Sequence, residues 1–138
     1  NPDLRSHDVA QAASKVAVIA EVRSALVEFQ QSFAARDGGA VLDGRDIGTV
    51  ICPNADAKLF VTATAECRAQ RRYAELGARG NDIGYDQVLA DVIARDTRDS
   101  ERAEAPLRAA GDATLIYTSD MTIAQAIAAA IAAVDAAR

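Results

Sequence analysis

The sequence predicts an α/β fold, a single domain over residues 1–138 built around a parallel sheet. Three observations lead there. Short apolar runs without polar alternation recur at residues 40–43, 57–63 and 113–119, as in strands buried on both faces. Between them, apolar residues return every three or four positions, the spacing of amphipathic helices. Strands separated by helical crossovers pair in parallel and are covered on both faces.

Taken in order, residues 7–35 contain neither Gly nor Pro. Val18, Val22, Ala25/Leu26, Phe29 and Phe33 fall on one face, so a long amphipathic helix is expected, broken by the glycines of "RDGG" (36–39). "AVLD" (40–43) is a short buried strand. The turn "CPNAD" (52–56) introduces a second strand, "AKLFVTA" (57–63). "AECRAQRRYAELGARG" (65–80) is a helix ended by Gly80. "YDQVLADVIARDTRDSERA" (85–103) is another, with Val88, Leu89, Val92 and Ile93 as its apolar stripe and Pro106 as its stop. "ATLIYTS" (113–119) is the third strand. The closing helix, 121–138, has Thr118, Ser119 or Asp120 as its expected cap.

Composition excludes several function classes. The formal net charge is -5, which argues against nucleic acid or an anionic membrane as partner, because counterion release needs a basic footprint. Cys52 and Cys67 are far from any metal-ligand spacing and His7 is the only histidine, so no Cys/His metal site is expected. Two isolated cysteines fit a reducing cytoplasm. No signal peptide stands at the start, and the alanine-rich stretch 124–137 is too short and weakly apolar to span a bilayer. A first residue of Asn rather than Met suits a piece of a longer chain. The expected state is a monomer.

Two stretches carry chemistry. "LDGRDIGT" (42–49) gathers Asp43, Gly44, Arg45, Asp46 and Gly48 at the carboxyl end of the first expected strand. In open α/β sheets ligands bind beyond that end, although turn chemistry alone accounts for the glycines. Seven of the fifteen Lys/Arg residues lie between Arg68 and Arg102, all of them Arg, the residue suited to bidentate recognition of phosphate or carboxylate. Arg95, Asp99 and Arg102 share one helix face, with Arg98 off to its side. Arg68, Arg71 and Arg72 share a face of the preceding helix. Ordinary surface pairing is the plainer account, since Asp91–Arg95 and Arg95–Asp99 are i,i+4 pairs worth about 0.2–0.5 kcal/mol each. The absence of Lys from that helix counts against it.

With "DGRDIGT" (43–49) and "RDTRDSERAEAPL" (95–107) together, the sequence resembles bacterial cytidylate kinase, which moves the γ-phosphoryl group of ATP to CMP or dCMP. "LRSHDVAQAASKVA" (4–17) and "EVRSAL" (21–26) resemble further segments of that family, which often carries a proline ahead of Val-Arg where "VAVIAEVR" has none. The resemblance implies a P-loop NTPase-like nucleoside monophosphate kinase, with a parallel sheet and helices on both faces. It also marks a departure: no G-x-x-x-x-G-K-[ST] motif occurs in the 138 residues, so the chain resembles the carboxyl-terminal part of the enzyme, with the first strand and the P-loop outside it.

For individual residues the resemblance implies that Ser14, Arg23, Asp46 and Arg102 read the cytosine. Asp46 would accept from the exocyclic amino group and oppose uracil's carbonyl, a discrimination of about 1–3 kcal/mol. Arg95 and Asp99 would handle the ribose and phosphate of CMP. The segment 65–103 would include a lid, with Gly77, Gly80 and Gly84 as hinge positions and Arg71, Arg72 and Arg95 as catalytic groups over the phosphates. Arg5 matches a family arginine without a fixed role. Asp43 either orients Arg45, contacts metal-bound water or simply serves the turn. ATP with Mg2+ is the implied phosphate donor, and no protein-held metal is implied. The alternatives are a non-catalytic nucleotide-binding or scaffold module, or another small-molecule kinase of similar organisation. The isolated chain is not expected to turn over, for want of a cradle for the β- and γ-phosphates.

Overall fold

The computed structural model describes residues 7–101, 103 and 105–137. Its elements follow the order α1 (His7–Val16), α2 (Ala20–Ala34), a one-turn π-helix (Ile47–Ile51), β1 (Leu59–Thr62), α3 (Ala65–Ala78), α4 (Tyr85–Glu101), β2 (Thr114–Tyr117) and α5 (Ile123–Ala136). The first strand pairs in parallel with the second, in the register Leu59–Thr114 to Thr62–Tyr117. The α3–α4 hairpin is the crossover between them, as the alternation of apolar runs and helical periods anticipates.

The core lies within that crossover. Ala69 and Leu76 of α3 pack on Val88 of α4, with Ile83, Tyr85, Leu89 and Val92 around them. Ala69 and Leu76 lie two turns apart on α3, and Tyr85, Val88, Leu89 and Val92 recur at i, i+3, i+4 and i+7 on α4, so the packing follows the hydrophobic stripe in the sequence. Of the expected α4 stripe only Ile93 stays half exposed. Tyr73 and Tyr85 meet edge to face at 6.0 Å, and Arg68 of α3 grips Asp96 of α4 with two hydrogen bonds of 2.7 and 2.5 Å. The hydrogen bonds to Asp96 raise the pKa of the Arg68 guanidinium against a smaller opposing effect of burial. α3 closes at Gly80, whose φ of +76° suits a residue without Cβ. The Gly80 and Asn81 amides return to the carbonyls of Gly77 and Leu76, a Schellman closure.

Three expectations are corrected. Residues 7–35 do not form one helix: Ala17 and Val18 turn and Ile19 is extended (φ -81°, ψ 113°). The reason is tertiary. α1 presents Ser14 to α4 while α2 runs against the 46–51 segment, and a straight helix does not reach both. Residues 40–43 form no strand, because no described segment lies alongside to complete a ladder, and Val41 is 98% exposed. On the two strands Val61, Leu115 and Tyr117 are exposed, as are Ile123, Ile127 and Ile131 of α5. Finally, α5 is capped by Thr122 in a reciprocal box with Gln125. Thr118 is engaged with Thr62 and Arg71, and Ser119 accepts from the Thr64 amide, so neither is available as a cap. The T-x-x-Q signature at 122–125 was the signal to read.

Candidate functional site

The site is assembled by α1, α2, the 43–51 segment and α4. Asp46 stands immediately before the π-helix, and its carbonyl accepts from the amides of Thr49, Val50 and Ile51 at 3.3, 2.9 and 3.3 Å, with the Thr49 hydroxyl adding a fourth bond. This clamp fixes the Asp46 backbone and so aims its side chain. Gly44 allows the tight approach that precedes it, because a Cβ there would lie 2.9 Å from Ile47 Cγ1.

The Asp46 side chain is 11% exposed and ion-pairs with Arg23 of α2, itself 15% exposed. Arg23 also donates to the carbonyl of Ala17 at 3.4 Å. The break between α1 and α2, invisible as a Gly or Pro in the sequence, frees that carbonyl from helical pairing and turns it toward Arg23.

Ser14 lies on the α1 face that also carries Gln11 and Ala17, and is 2% exposed. Its hydroxyl accepts a 2.5 Å hydrogen bond from Arg98 Nη1 of α4. Next to Arg98 in the chain, Asp99 is buried and accepts at Oδ2 from Arg45 Nε at 2.7 Å, with Arg95 Nε at 3.5 Å. Arg95 Nε is buried without a hydrogen-bond partner of good geometry. Burial, first, lowers the Arg95 pKa, then the nearby Arg45 charge, with smaller effects of Arg98 and Arg72; Asp99 works in the opposite sense. Two guanidiniums, Arg45 and Arg95, therefore converge on the Asp99 carboxylate, with the Arg98 charge close enough to act on Arg95. Such an excess of planar donors suits a bound phosphate or carboxylate.

The expected residues are thus partly gathered. Ser14, Arg23, Asp46, Arg95 and Asp99 stand on neighbouring elements tied by direct bonds. Arg72 lies close enough to act on Arg95 electrostatically, and pairs with Glu75 at 2.8 Å. Arg71 is held instead at the carboxyl end of β2, donating to the Thr118 hydroxyl and carbonyl at 3.0 and 2.6 Å. Arg102 and Arg5 lie outside the described residues. Of the expected hinge glycines, Gly77 is inside α3, Gly80 closes it and Gly84 precedes α4. Asp43 is exposed beside a groove lined by Phe29, Gln30, Phe33, Leu42 and Ile47. Sequence reasoning gave no site role to Arg98 and left Arg45 only as a possible partner of Asp43. Arg45 adjoins Asp46, so the alternation of that segment was a usable signal; for Arg98 none was local. Among the described residues no group of three His, Cys, Asp or Glu stands together to hold a metal ion. No helix among them is long and apolar enough to cross a membrane.

A family model described as cytidylate kinase matches residues 1–136. The cytidylate kinase of Xanthobacter autotrophicus is 60% identical over 135 residues, 98% of this chain and 65% of the relative. That of Cereibacter sphaeroides is 59% identical over 133 residues, 96% of this chain and 65% of the relative. That of Methylocella silvestris is 56% identical over 134 residues, 97% of this chain and 62% of the relative. The chain belongs to the cytidylate kinase family, a P-loop NTPase-like nucleoside monophosphate kinase family, and spans less than two thirds of the length of these relatives.

Proposed function

We propose that this chain supplies the nucleotide-reading and lid residues of a kinase that transfers the γ-phosphoryl group of ATP to CMP or dCMP. The observation that carries the reading is the pairing of two adjacent devices. Asp46, braced by Arg23 and by three backbone amides, offers an acceptor to an exocyclic amino group. Beside it, Arg45 and Arg95 on Asp99 offer donors to a phosphate. A base and a phosphate held at such separate polar points define a nucleoside monophosphate.

In this reading Ser14, Arg23, Asp46 and Arg102 contact cytosine, and Asp99 and Arg95 meet the ribose and phosphate. Arg72 and Arg95 bring positive charge to the transferring phosphoryl group as α3 and α4 close, since protein groups in phosphoryl transfer chiefly position and neutralise equatorial oxygens. Arg71, anchored at the carboxyl end of the parallel pair, stands where ligands of open α/β sheets bind and joins the donor side. Mg2+ belongs to the ATP in this scheme; the described residues make no site for it, and no step is assigned to it. The substrates are small molecules, the compartment is the cytoplasm and the working unit is a monomer. The 138 residues hold no phosphate-loop motif, so the chain reads the acceptor but needs a phosphate cradle from elsewhere for transfer.

The test is an ATP-dependent CMP phosphorylation assay on the chain alone and on the chain extended with the complementary segment of the Xanthobacter relative. Turnover by the extended protein alone is expected. Turnover by the isolated chain overturns the need for a cradle; an extended, folded protein with no CMP kinase activity overturns the function. A scaffold module, by contrast, binds CMP and UMP equally in a calorimetric titration.

A further inference from the structure

The bond between Arg98 and Ser14 joins residues 84 positions apart, and both groups differ from their neighbours in the site. A guanidinium has donors only, so in this 2.5 Å contact the Ser14 oxygen is the acceptor. A hydroxyl on a side chain 2% exposed has no water to rotate toward freely. With one lone pair taken by Arg98, its proton is the group left to point away from α4. Among the described residues no other side chain hydrogen-bonds Ser14 Oγ. Among the described residues no carboxylate pairs with Arg98, whereas Arg23, Arg45, Arg68, Arg72, Arg79 and Arg95 each pair with Asp or Glu.

We infer that Arg98 is a positioning residue for base discrimination. It holds the Ser14 hydroxyl as a hydrogen-bond donor facing the pyrimidine edge, and so ties that reading to the seating of α4. This rests on the reading of Ser14 and Asp46 as the base pocket. Cytosine presents an unprotonated ring nitrogen next to its amino group, while uracil carries N–H there. A hydroxyl fixed as donor complements the first and opposes the second, as Asp46 complements the amino group and opposes the carbonyl. Two adjacent contacts of opposite polarity then read one base edge, and the second is set from a helix that carries the phosphate arginines. Binding at Arg95, one turn from Arg98, and at Asp99, its neighbour in the chain, therefore steadies the group that orients Ser14.

The test compares CMP and UMP as acceptors for the amino-terminally extended protein carrying Arg98→Met, Arg98→Lys, Ser14→Ala or Ser14→Ala with Arg98→Met. Loss of one oriented hydrogen bond is expected to lower the CMP-to-UMP ratio of kcat/KM by about three- to tenfold in Arg98→Met. Arg98→Lys, which keeps one donor, recovers part of the ratio. In the Ser14→Ala background the Arg98 change adds nothing, since the hydroxyl it acts through is gone. Equal losses for CMP and UMP in Arg98→Met, or an additive effect in the double variant, overturns the inference. If Arg98→Met does not fold, Arg98→Lys carries the comparison: a ratio identical to the parent in that variant and additivity in Ser14→Ala with Arg98→Lys overturn it as well. A parent that shows no preference for CMP defeats the base pocket itself. A parent preference erased by Asp46→Asn but untouched by Arg98→Met defeats only the role of Arg98.

Discussion

Replacing Asp46 with Asn tests the proposed base pocket most directly, because Arg23 selects which end of the new amide faces it. Arg23 donates to the carboxylate from one side and, being a donor only, selects the carbonyl oxygen of Asn. In the proposed pocket the amide NH2 then takes the place of the carboxylate oxygen that would meet the base. An acceptor for the cytosine amino group becomes a donor for the uracil carbonyl. A contact of this kind is worth about 1–3 kcal/mol of discrimination, so the ratio of CMP to UMP affinity falls by about 5- to 150-fold. The fold also loses part of a mostly buried charge-assisted bond. With both side chains retaining some solvent contact (11% and 15% exposed) and one hydrogen bond surviving, the cost is about 1–2 kcal/mol. Calorimetric titration with each nucleotide reads the first effect and urea unfolding the second. If both nucleotides weaken equally while the ratio stays at the parent value, Asp46 serves only to hold α2, and the base-reading argument fails.

Two further outcomes follow from the scaffold. Thr122→Ala removes the half of the α5 capping box in which the Thr122 hydroxyl accepts from the Gln125 amide and lowers stability by about 1 kcal/mol, read as a lower urea midpoint with an unchanged slope. The Lys58 ammonium, 2.6 Å from Asp112, holds the Asp112 carboxyl below its ordinary value. A folded-state pKa below the unfolded one gives stability that is present above about pH 4 and lost as pH falls through the folded value. Asp112→Asn therefore flattens the decline of the urea midpoint on the acid side; an unchanged acid slope refutes the pairing as its source.

The sequence by itself determined the α/β class, the two paired strands, the α3–α4 crossover with Val88 on its apolar stripe, and the family. Each is written in local periods or in contiguous motifs such as "DGRDIGT". It also grouped Ser14, Arg23, Asp46, Arg95 and Asp99, though through resemblance rather than through spacing. What the tertiary structure decided is the wiring among them. The break at Ala17–Ile19 carries no Gly or Pro, because it is imposed by two helices that must meet different partners. Residues 40–43 are apolar enough for a strand, yet a strand exists only where a neighbour completes its hydrogen bonds. Arg45 reaches Asp99 and Arg98 reaches Ser14 across 54 and 84 residues, distances at which no helical or strand period survives. Local sequence sets which face a side chain takes; only the packed chain sets which side chain it meets there, and so whether a buried hydroxyl gives or receives its hydrogen bond.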